Sequence, residues 1–310
     1  MKVITDFEKF PRIGTNTVLA IGNFDGLHLG HQKILKFLVN IAQKNDLLSL
    51  VLTFSPHPEK ILKKGRVHMI QTLEQRLEAI KEFNVQAVLV TPFNQQFSSL
   101  SSRDFVQEIA IKRLQAKEVV VGENFRFGKK RHGDISLLRK VGREIGLRVH
   151  SIPSVKKHGK TVSSSLIRNL LQKGEIEEAN EFLGKSYEIR GKVIKGEARG
   201  KTIGFPTANI QTENEIAPPG VFITSTRIGS RTYPSLTNIG VRPTFSQKEL
   251  CIESYIINFN KNLYGEKIRI NFLKKIRDEI KFRNPRNLSL QIEKDLQVAK
   301  NYFLDFFPEI

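Results

Sequence analysis

The chain has 310 residues, of which 39% are hydrophobic and 26% charged, and it carries a formal net charge of +19 and one cysteine. This length accommodates two domains with cores of their own, and this composition is that of a globular protein. No apolar run approaches the ~18 residues of a membrane span, and the first residues lack the apolar core of a signal peptide. One cysteine excludes an intramolecular disulfide, so we expect a cytoplasmic protein with no membrane partner.

The charge of +19 attracts polyanions of every kind. Lysine and arginine are nevertheless spread along the whole chain, and no zinc-finger, homeodomain or RNP pattern accompanies them. We interpret the charge as a general surface bias or as steering of anionic nucleotides, with nucleic-acid binding as the less favoured alternative. Weak self-association of the chain is left open.

A predicted strand, a tight turn and a helix start follow one another between Val18 and His31. The apolar run ends at Gly22, and a helical pattern begins near Gly30. Such a junction presents backbone N–H groups and the positive end of a helix dipole, which can hold a phosphate. His28 and His31 are three residues apart and can point toward the same anion. The alternative is a connecting turn with surface histidines; zinc is disfavoured because no second ligand cluster exists.

Short apolar runs and amphipathic helical patterns alternate as far as about Gly184. The predicted strands are 18–22, 48–54, 86–91, 117–122 and 147–152, and helical patterns cover 72–83 and 102–114. This alternation predicts a doubly wound parallel sheet covered on both faces, with ligands bound beyond the carboxyl ends of its strands.

Three further clusters follow predicted strands in this half. His57 stands between two prolines, in a loop that we interpret as a structural turn. The segment 122–134 combines glycines, aromatic rings and cations, which suit a flat heterocycle with a phosphate or else form a solvated basic loop. The serines 163–165 precede a helical pattern over 166–172 and are typical N-caps.

After Gly184 the helical periodicity gives way to β-type runs. They cover 187–194, 221–228, 231–238, 251–259 and 267–273, and an amphipathic helix follows over 289–303. Short strands at this spacing predict a small antiparallel β-barrel with a C-terminal helix. We therefore expect two domains, residues 1–184 and 185–310.

A glycine-rich stretch lies early in the second predicted domain, between Gly191 and Asn209. Its glycines make a flexible backbone that could fold over phosphates. Thr207 and Asn209 alternate on an extended segment, so their oxygens face one way and suit a magnesium ion held mainly by nucleotide phosphates. The alternative is a glycine-rich barrel turn.

The N-terminal motif G-x-F-D-x-x-H-x-G-H resembles the signature of the nucleotidyltransferase superfamily, which implies adenylyl transfer from ATP. The resemblance assigns ATP or phosphate binding to Gly22, Asn23, Phe24, Asp25 and Gly30, and catalysis to His28 and His31. It also assigns a second phosphate motif, S-S-T-x-I-R in the family, to Ser164, Ser165 and the catalytic candidate Arg168. Ser165 replaces the usual threonine and keeps the hydroxyl.

The second half is similar to the riboflavin kinase signature G-x-x-x-x-G-x-x-x-G-(K/R)-T-x-G-F-P-T-A-N. Further matching segments follow in the family's order, among them Thr237 to Phe245, Glu253 to Tyr255 and Arg277 to Phe282. Across its length the chain resembles the bifunctional bacterial riboflavin kinase and FAD synthetase family. Four positions depart from the family pattern: Glu197, Lys201, Asn258 and Asn260.

The resemblance implies two ATP-dependent steps, riboflavin to FMN and FMN to FAD. It makes Glu253 the acceptor of the riboflavin hydroxyl proton, with Thr207 and Asn209 holding Mg²⁺ beside ATP. It assigns the remaining ATP contacts to Gly196, Gly200, Lys201 and Thr202. We expect flavin contacts from Arg277 and from the aromatic and cationic segment after the fourth predicted strand, at Asn124, Phe125, Arg126 and Phe127. The alternatives are another nucleotidyltransferase, or a basic nucleic-acid-binding protein on a nucleotidyltransferase scaffold.

Overall fold

The computed structural model describes residues 1–5, 16–62, 67–196, 200, 203–243, 248–282 and 284–304, and it gives the backbone alone for 241–243 and 248–249. By its internal contacts the chain divides into two compact units, Met1–Ser164 and Ser165–Ile310. Each unit is described by itself.

The first unit contains a six-stranded sheet whose neighbouring strands all run parallel. Its strands, in sheet order, are β1 (Lys2–Ile4), β4 (Ala87–Thr91), β3 (Leu48–Phe54), β2 (Thr17–Ile21), β5 (Ala116–Gly122) and β6 (Arg148–Ile152). The predicted doubly wound sheet is confirmed: the apolar strands β2, β3, β4 and β5 are mostly buried between helices on both faces, whereas β6 at the edge is partly exposed. Strand β1 was not predicted, since its three residues are too short to show a pattern.

Helices cover both faces of this sheet. They are α1 (Leu29–Lys44), α2 (Pro58–Leu62), α3 (Leu73–Lys81), α4 (Gln95–Ser99), α5 (Ser102–Asp104), which continues as a π-helix (Phe105–Arg113), and α6 (Ile135–Ile145). A 3₁₀ turn (Lys129–Arg131) and a small hairpin, β7 (Lys156–Lys157) and β8 (Lys160–Thr161), complete the described elements. One core lies against α5, the π-helix and α6, and the other lies against α1 and α3.

The strand order places a topological switch at β2. The chain proceeds from β2 to β3 and β4 on one side, and later to β5 and β6 on the other. The carboxyl ends of β2 and β5 therefore flank a crevice where open α/β sheets bind ligands. The His28–His31 motif follows β2, and the segment 123–134 follows β5, so the two face the same crevice.

The second unit contains a closed antiparallel barrel. Helices α7 (Ser164–Lys173) and α8 (Ile176–Leu183) precede it, and α9 (Pro285–Phe303) follows. Its strands are β9 (Tyr187–Ile194), β10 (Ala208–Thr212), β11 (Gly220–Ile228), β12 (Arg231–Pro243), β13 (Lys248–Ile256) and β14 (Lys267–Arg277), closed in the order β10-β13-β12-β11-β14-β9. The predicted barrel and C-terminal helix are confirmed.

One side chain of helix α8, Asn180, bonds to two strands of the barrel. The Asn180 amide donates to the carbonyl of Phe272 (2.8 Å) and accepts from the N–H of Tyr187 (2.7 Å). The division by contacts falls between Ser164 and Ser165, directly after the first residue of α7, whereas the sequence predicts a boundary near residue 184. That predicted boundary stays a prediction.

Part of the barrel interior is polar. Five hydroxyl side chains from three adjacent strands are fully buried and hydrogen-bond to one another: Thr224, Thr226, Ser235, Thr237 and Ser254. On the outer face, α9 packs Leu296, Ala299 and Phe303 against β11 and β12. Residues 251, 253 and 255 of β13 point outward, because their buried neighbours at 252, 254 and 256 point inward.

Candidate functional site

The turn after β2 is built from unusual backbone conformations. Phe24, Gly26 and Leu27 have positive φ angles of 52°, 82° and 39°, and the Phe24 and Leu27 side chains are buried beneath the turn. Burying these two apolar side chains compensates for a left-handed backbone that ordinarily favours glycine. The turn is thus anchored by its own hydrophobic residues and leads directly into α1.

The two histidines of the motif lie together at the start of α1. His28 is the N-cap: its Nδ1 accepts a hydrogen bond from the backbone N–H of His31 at 3.4 Å. The two rings stack with their centroids 3.7 Å apart and their planes within 16°. Because Nδ1 of His28 accepts, its neutral form carries the ring proton on Nε2. The structure therefore confirms that both imidazoles gather at one helix N-terminus.

Glycine is required next to this histidine pair. A Cβ atom on Gly30 would lie 3.1 Å from Cε1 and 3.2 Å from Nδ1 of His28. A Cβ atom on Gly22 would lie 3.2 Å from the ring of Phe24. Both distances are shorter than an ordinary van der Waals contact. Glycine at these two positions therefore lets the backbone approach the rings of His28 and Phe24 closely.

Residues that are distant in sequence donate hydrogen bonds to the carbonyl groups of the turn. The Asn23 carbonyl accepts from Arg76 Nη1 (2.8 Å) and Thr53 Oγ1 (3.1 Å), and the Asp25 carbonyl accepts from Ser164 Oγ (2.8 Å). Ser164 belongs to the predicted second phosphate motif, so the structure brings it to the first motif. Ser165 and Arg168 lie in the first turns of α7, Ser165 exposed and Arg168 half-buried.

The Asp25 carboxylate faces away from solvent and is 1% exposed. It accepts from the backbone N–H groups of Ile70 (3.1 Å) and Gln71 (3.3 Å), just before α3. Asp25 therefore shapes the turn by fixing the neighbouring loop, which is a more specific role than the phosphate contact expected from the motif.

The predicted flavin segment lies beyond the carboxyl end of β5. Phe125 and Phe127 stack at 5.4 Å, but Phe127 is only 7% exposed and packs on Phe105 in the core, whereas Phe125 is half-buried. Asn124 and Arg126 are exposed. Of the two rings, Phe125 is the one with surface available to a ligand.

The predicted metal and catalytic residues of the barrel lie together on its outer face. Asn209 of β10 is directly opposite Glu253 of β13, and Asn238 of β12 is opposite Glu253 on the other side. Residues directly opposite each other on antiparallel strands have Cβ atoms about 4.5–5.5 Å apart. Glu253 is thus flanked by two amides, and all three side chains are half-buried.

Two of the glycines predicted to bind ATP lie against the predicted metal ligands Asn209 and Thr207. A Cβ atom on Gly196 would overlap the Asn209 amide, and one on Gly200 would lie 3.2 Å from Thr207 Oγ1. Gly196 and Gly200 therefore bring the glycine-rich backbone against the two proposed metal ligands. Lys201 and Thr202, also predicted to bind ATP, lie outside the described residues.

Arg277, predicted to contact flavin, is engaged by α9. Its guanidinium donates to both oxygens of the buried Asp295 carboxylate, from Nε to Oδ1 (3.2 Å) and from Nη2 to Oδ2 (2.7 Å), in the paired geometry that arginine and carboxylate prefer. This ion pair fixes the end of β14 to α9.

Two protein-family models match this chain, FAD synthetase over residues 11–166 and riboflavin kinase over residues 183–303. The chain is 37% identical over 310 residues to the bifunctional riboflavin kinase/FMN adenylyltransferase of Buchnera aphidicola subsp. Schizaphis graminum, covering 98% of this chain and 99% of that protein. It is 37% identical to the Bacillus subtilis protein of the same name, covering 93% and 92%. The chain belongs to the bifunctional riboflavin kinase/FMN adenylyltransferase family.

A solved structure has the same fold over nearly its whole length. It is described as "Crystal Structure of Macrolide-efflux Protein from Streptococcus pneumoniae", with a TM-score of 0.88, 29% identity, and coverage of 96% of this chain and 98% of that one. No helix in the described ranges of the present chain is long and apolar enough to cross a bilayer.

Sequence reasoning missed several residues around the two sites. In the FAD synthetase domain, Arg76 on α3 reads as an ordinary helical cation, yet it is 5% exposed and bonds to the motif's turn. Phe93 and Phe97 carry no motif, although they lie on the same edge as Phe125. In the riboflavin kinase domain, Asn238 is adjacent to Glu253 only through strand register. The T-N-I-G segment was the one available signal for Asn238.

Proposed function

We propose that the chain converts riboflavin to FMN in its barrel and FMN to FAD in its parallel-sheet domain, each step at a separate site and each using ATP. The matches of both domains to this enzyme family support the pair of activities. The observation that carries the assignment of sites is the grouping of motif residues: the His28–His31 pair in one domain, and Asn209 beside Glu253 in the other. We also propose residues 1–184 and 185–310 as the two domains and the cytoplasm as their location.

In the barrel, Glu253 accepts the proton of the riboflavin 5′-hydroxyl as that oxygen attacks the γ-phosphate of ATP, giving FMN and ADP. Thr207 and Asn209 supply neutral oxygen ligands of the kind that Mg²⁺ takes beside nucleotide phosphates. Within the described residues, no group of three or more His, Cys, Asp or Glu side chains is arranged to hold a metal. This supports a metal held mainly by ATP, which would neutralise phosphate charge when bound.

In the sheet domain, a phosphate oxygen of FMN attacks the α-phosphate of ATP, and pyrophosphate leaves. No covalent enzyme intermediate is needed, because the attacking phosphate is already an anion. His28 and His31 donate from the imidazole ring to the transferring phosphate at the positive end of α1. Arg168 is assigned to the leaving pyrophosphate, whose charge its guanidinium would match.

The flavin ring has a candidate platform at the carboxyl edge of the sheet. A row of aromatic contacts runs through Phe93, Phe97, Phe105, Phe127 and Phe125, with centroids 5.4–6.0 Å apart at each step. The rings at 93, 97 and 125 are half-buried, whereas the middle two are in the core. Isoalloxazine is a flat aromatic ring system, so stacking on the half-exposed rings is favourable. Asn124 and Arg126 lie beside Phe125 to meet its polar edge.

The test is to incubate the purified protein with riboflavin, ATP and Mg²⁺ and to separate the flavins by chromatography over time. FMN should appear first and FAD second, and chelation of Mg²⁺ by EDTA should stop both steps. Appearance of neither product, with the protein folded, would exclude the proposal.

Two variants separate the steps. Glu253→Ala should lose FMN formation by orders of magnitude while converting supplied FMN to FAD normally. The double variant His28→Ala/His31→Ala should accumulate FMN without FAD. Unchanged FMN turnover in the first, or undiminished FAD output in the second, would remove those residues from the mechanism.

The His28 cap needs its own control, because losing it also weakens α1. In His28→Asn the shorter amide can still cap the helix but offers no imidazole. We expect His28→Asn to keep the stability of the domain and to lose FAD formation like His28→Ala. Recovery of FAD formation in His28→Asn would mean that His28 acts only as a cap.

A further inference from the structure

Arg76 is a buried cation that no sequence motif marks. Its helix α3 starts at a capping box, in which Thr72 and Gln75 exchange side-chain and backbone hydrogen bonds. Arg76 follows one turn into the helix and points into the first unit, where it is 5% exposed. A guanidinium is seldom buried to this extent without specific partners.

The partners of Arg76 are main-chain carbonyls from two separate segments. Nη1 donates to the carbonyl of Asn23 at 2.8 Å, and Nη2 donates to the carbonyl of Phe54 at 3.0 Å. Asn23 opens the turn of the histidine motif, and Phe54 is the last residue of β3. One planar group therefore joins the ends of two adjacent parallel strands at the switch-point crevice.

The opposite charges of Arg76 and Asp25 reinforce this connection between the turn and α3. Burial lowers the pKa of the Arg76 guanidinium, and attraction to the Asp25 carboxylate opposes that shift. Asp25 lies in the same turn and receives the N–H groups of Ile70 and Gln71. The turn and the start of α3 are thus connected twice, once through an arginine and once through a carboxylate of opposite charge.

Strand hydrogen bonds do not fix the turn, because it lies beyond the last ladder contact of β2. The N–H of Gly22 still bonds to the carbonyl of Leu52 at 3.1 Å, and from Asn23 onward the chain turns into the left-handed conformation at Phe24. Two carbonyls of the turn depend on side chains from elsewhere: Asn23 on Arg76 and Thr53, and Asp25 on Ser164. Anchoring carbonyls in this way fixes the peptide planes and with them the direction of the turn.

We propose that Arg76 is a positioning residue for adenylyl transfer, which holds the Asn23–Asp25 turn, and hence the His28–His31 pair, in place for the transferring phosphate. Arg76 does not touch the reacting atoms; it acts through the two carbonyls that it binds. The inference rests on the proposed role of the histidine motif. The positioning role requires two parallel N–H donors on one cation, which arginine has and lysine does not.

The decisive variant is Arg76→Met, which keeps an unbranched side chain that can remain buried and removes both donors. Displacement of a phosphate-binding turn by about 1 Å costs roughly a hundredfold in rate, so we expect kcat for FAD formation to fall by about that factor. KM for FMN should stay within about threefold if the flavin lies on the aromatic row. The kinase rate of the same molecules should not change.

Conservative and control variants complete the design. Arg76→Lys should recover part of kcat, because one amine can reach one of the two carbonyls but not hold both in a plane. Lys81→Met removes a cation from the exposed end of the same helix and should leave both activities unchanged. Thr53→Val removes only the second donor to the Asn23 carbonyl and should lower kcat about tenfold, the effect of one lost hydrogen bond.

Rates are expressed per folded molecule, with folding followed by thermal unfolding. Wild-type kcat and KM in folded Arg76→Met would overturn the proposal and leave Arg76 a purely structural residue. If Arg76→Met does not fold, Arg76→Lys decides: a wild-type kcat for FAD formation in Arg76→Lys, whose single amine cannot hold both carbonyls, overturns the proposal equally. His28→Ala/His31→Ala is measured in parallel: persisting FAD formation in that variant refutes the site itself, whereas its loss with normal Arg76→Met refutes only the positioning role.

Discussion

The hydroxyl of Ser164 donates to the carbonyl of Asp25 at 2.8 Å, across 139 positions of sequence. This hydrogen bond joins Ser164 of the second predicted phosphate motif to the turn of the first motif. The second motif supplies not only a helix start but also a donor that fixes the turn of the first.

Ser164→Ala should slow FAD formation about fivefold, because the net value of such a hydrogen bond is about 1 kcal/mol and its loss frees the turn. Steady-state rates with saturating ATP and FMN measure this effect. Ser98→Ala is the matched control, since the Ser98 hydroxyl bonds only within the exposed helix α4. Equal rates for both variants would mean that Ser164 does not hold the turn.

Gly30→Ala tests the close packing of the histidine pair. The added methyl group would come within 3.1–3.2 Å of the His28 ring, so the ring must move from its stack on His31. We expect FAD formation to fall by about tenfold or more, as expected for a displaced catalytic group, while the kinase rate stays constant. An alanine variant with full FAD formation would show that the imidazole stack is not the reactive arrangement.

Much of the first domain is predictable from sequence because its central strands, β2 to β5, are apolar runs buried on both faces. The five predicted strands match β2 to β6 to within one residue at each end. The π-helix over Phe105–Arg113 is not predictable, since its residues fit an ordinary helical pattern and its widened turns depend on packing.

The sequence identified the motif residues of the candidate sites, but it did not show which residues lie next to them in the fold. Residue types marked His28, His31, Asn209 and Glu253, because each belongs to a recognisable pattern. That Glu253 lies between Asn209 and Asn238 depends on the register of three strands, which local sequence does not specify. Arg76 was missed for a similar reason, since burial of a helical cation is decided by the segments that fold over it.

The chain's one cysteine offers a direct probe of the kinase site. Cys251 lies one position along the outer face from Glu253, with its Sγ 4.0 Å from Asn209 Oδ1. If Asn209 binds magnesium and ATP, the nucleotide should cover this thiol. We expect MgATP to slow labelling of Cys251 by a chromogenic disulfide about tenfold at saturation.

Asn209→Ala should abolish this protection, and ATP with EDTA should protect less than MgATP. The denatured protein gives the full labelling of one thiol per chain. Labelling that proceeds at the same rate with and without MgATP would place the nucleotide away from Asn209.

The hydroxyl cluster inside the barrel makes a prediction about stability. Thr224 Oγ1 lies 2.8 Å from both Ser235 Oγ and Thr237 Oγ1, and all three residues are fully buried. Thr224→Val keeps the shape but leaves these partners short of a hydrogen bond, which should lower the free energy of unfolding by about 1–3 kcal/mol. The denaturant midpoint for loss of kinase activity measures it.

Thr232→Val, at an exposed position of β12, is the control and should leave that midpoint unchanged. Equal midpoints for the two variants would show that the cluster contributes nothing to stability.

The closure of the barrel has a consequence for synthesis of the protein on the ribosome. The parallel sheet has all six strands once Ile152 has been made, and its turn is complete at Ser164. The barrel, by contrast, needs β14 between β11 and β9, so it has open edges until Arg277 is present. Domains commonly fold in order of their emergence, and exposed strand edges invite aggregation. A chain that stops between residue 184 and residue 277 should therefore retain FAD formation from supplied FMN while its unfinished barrel becomes the target of chaperones and proteases.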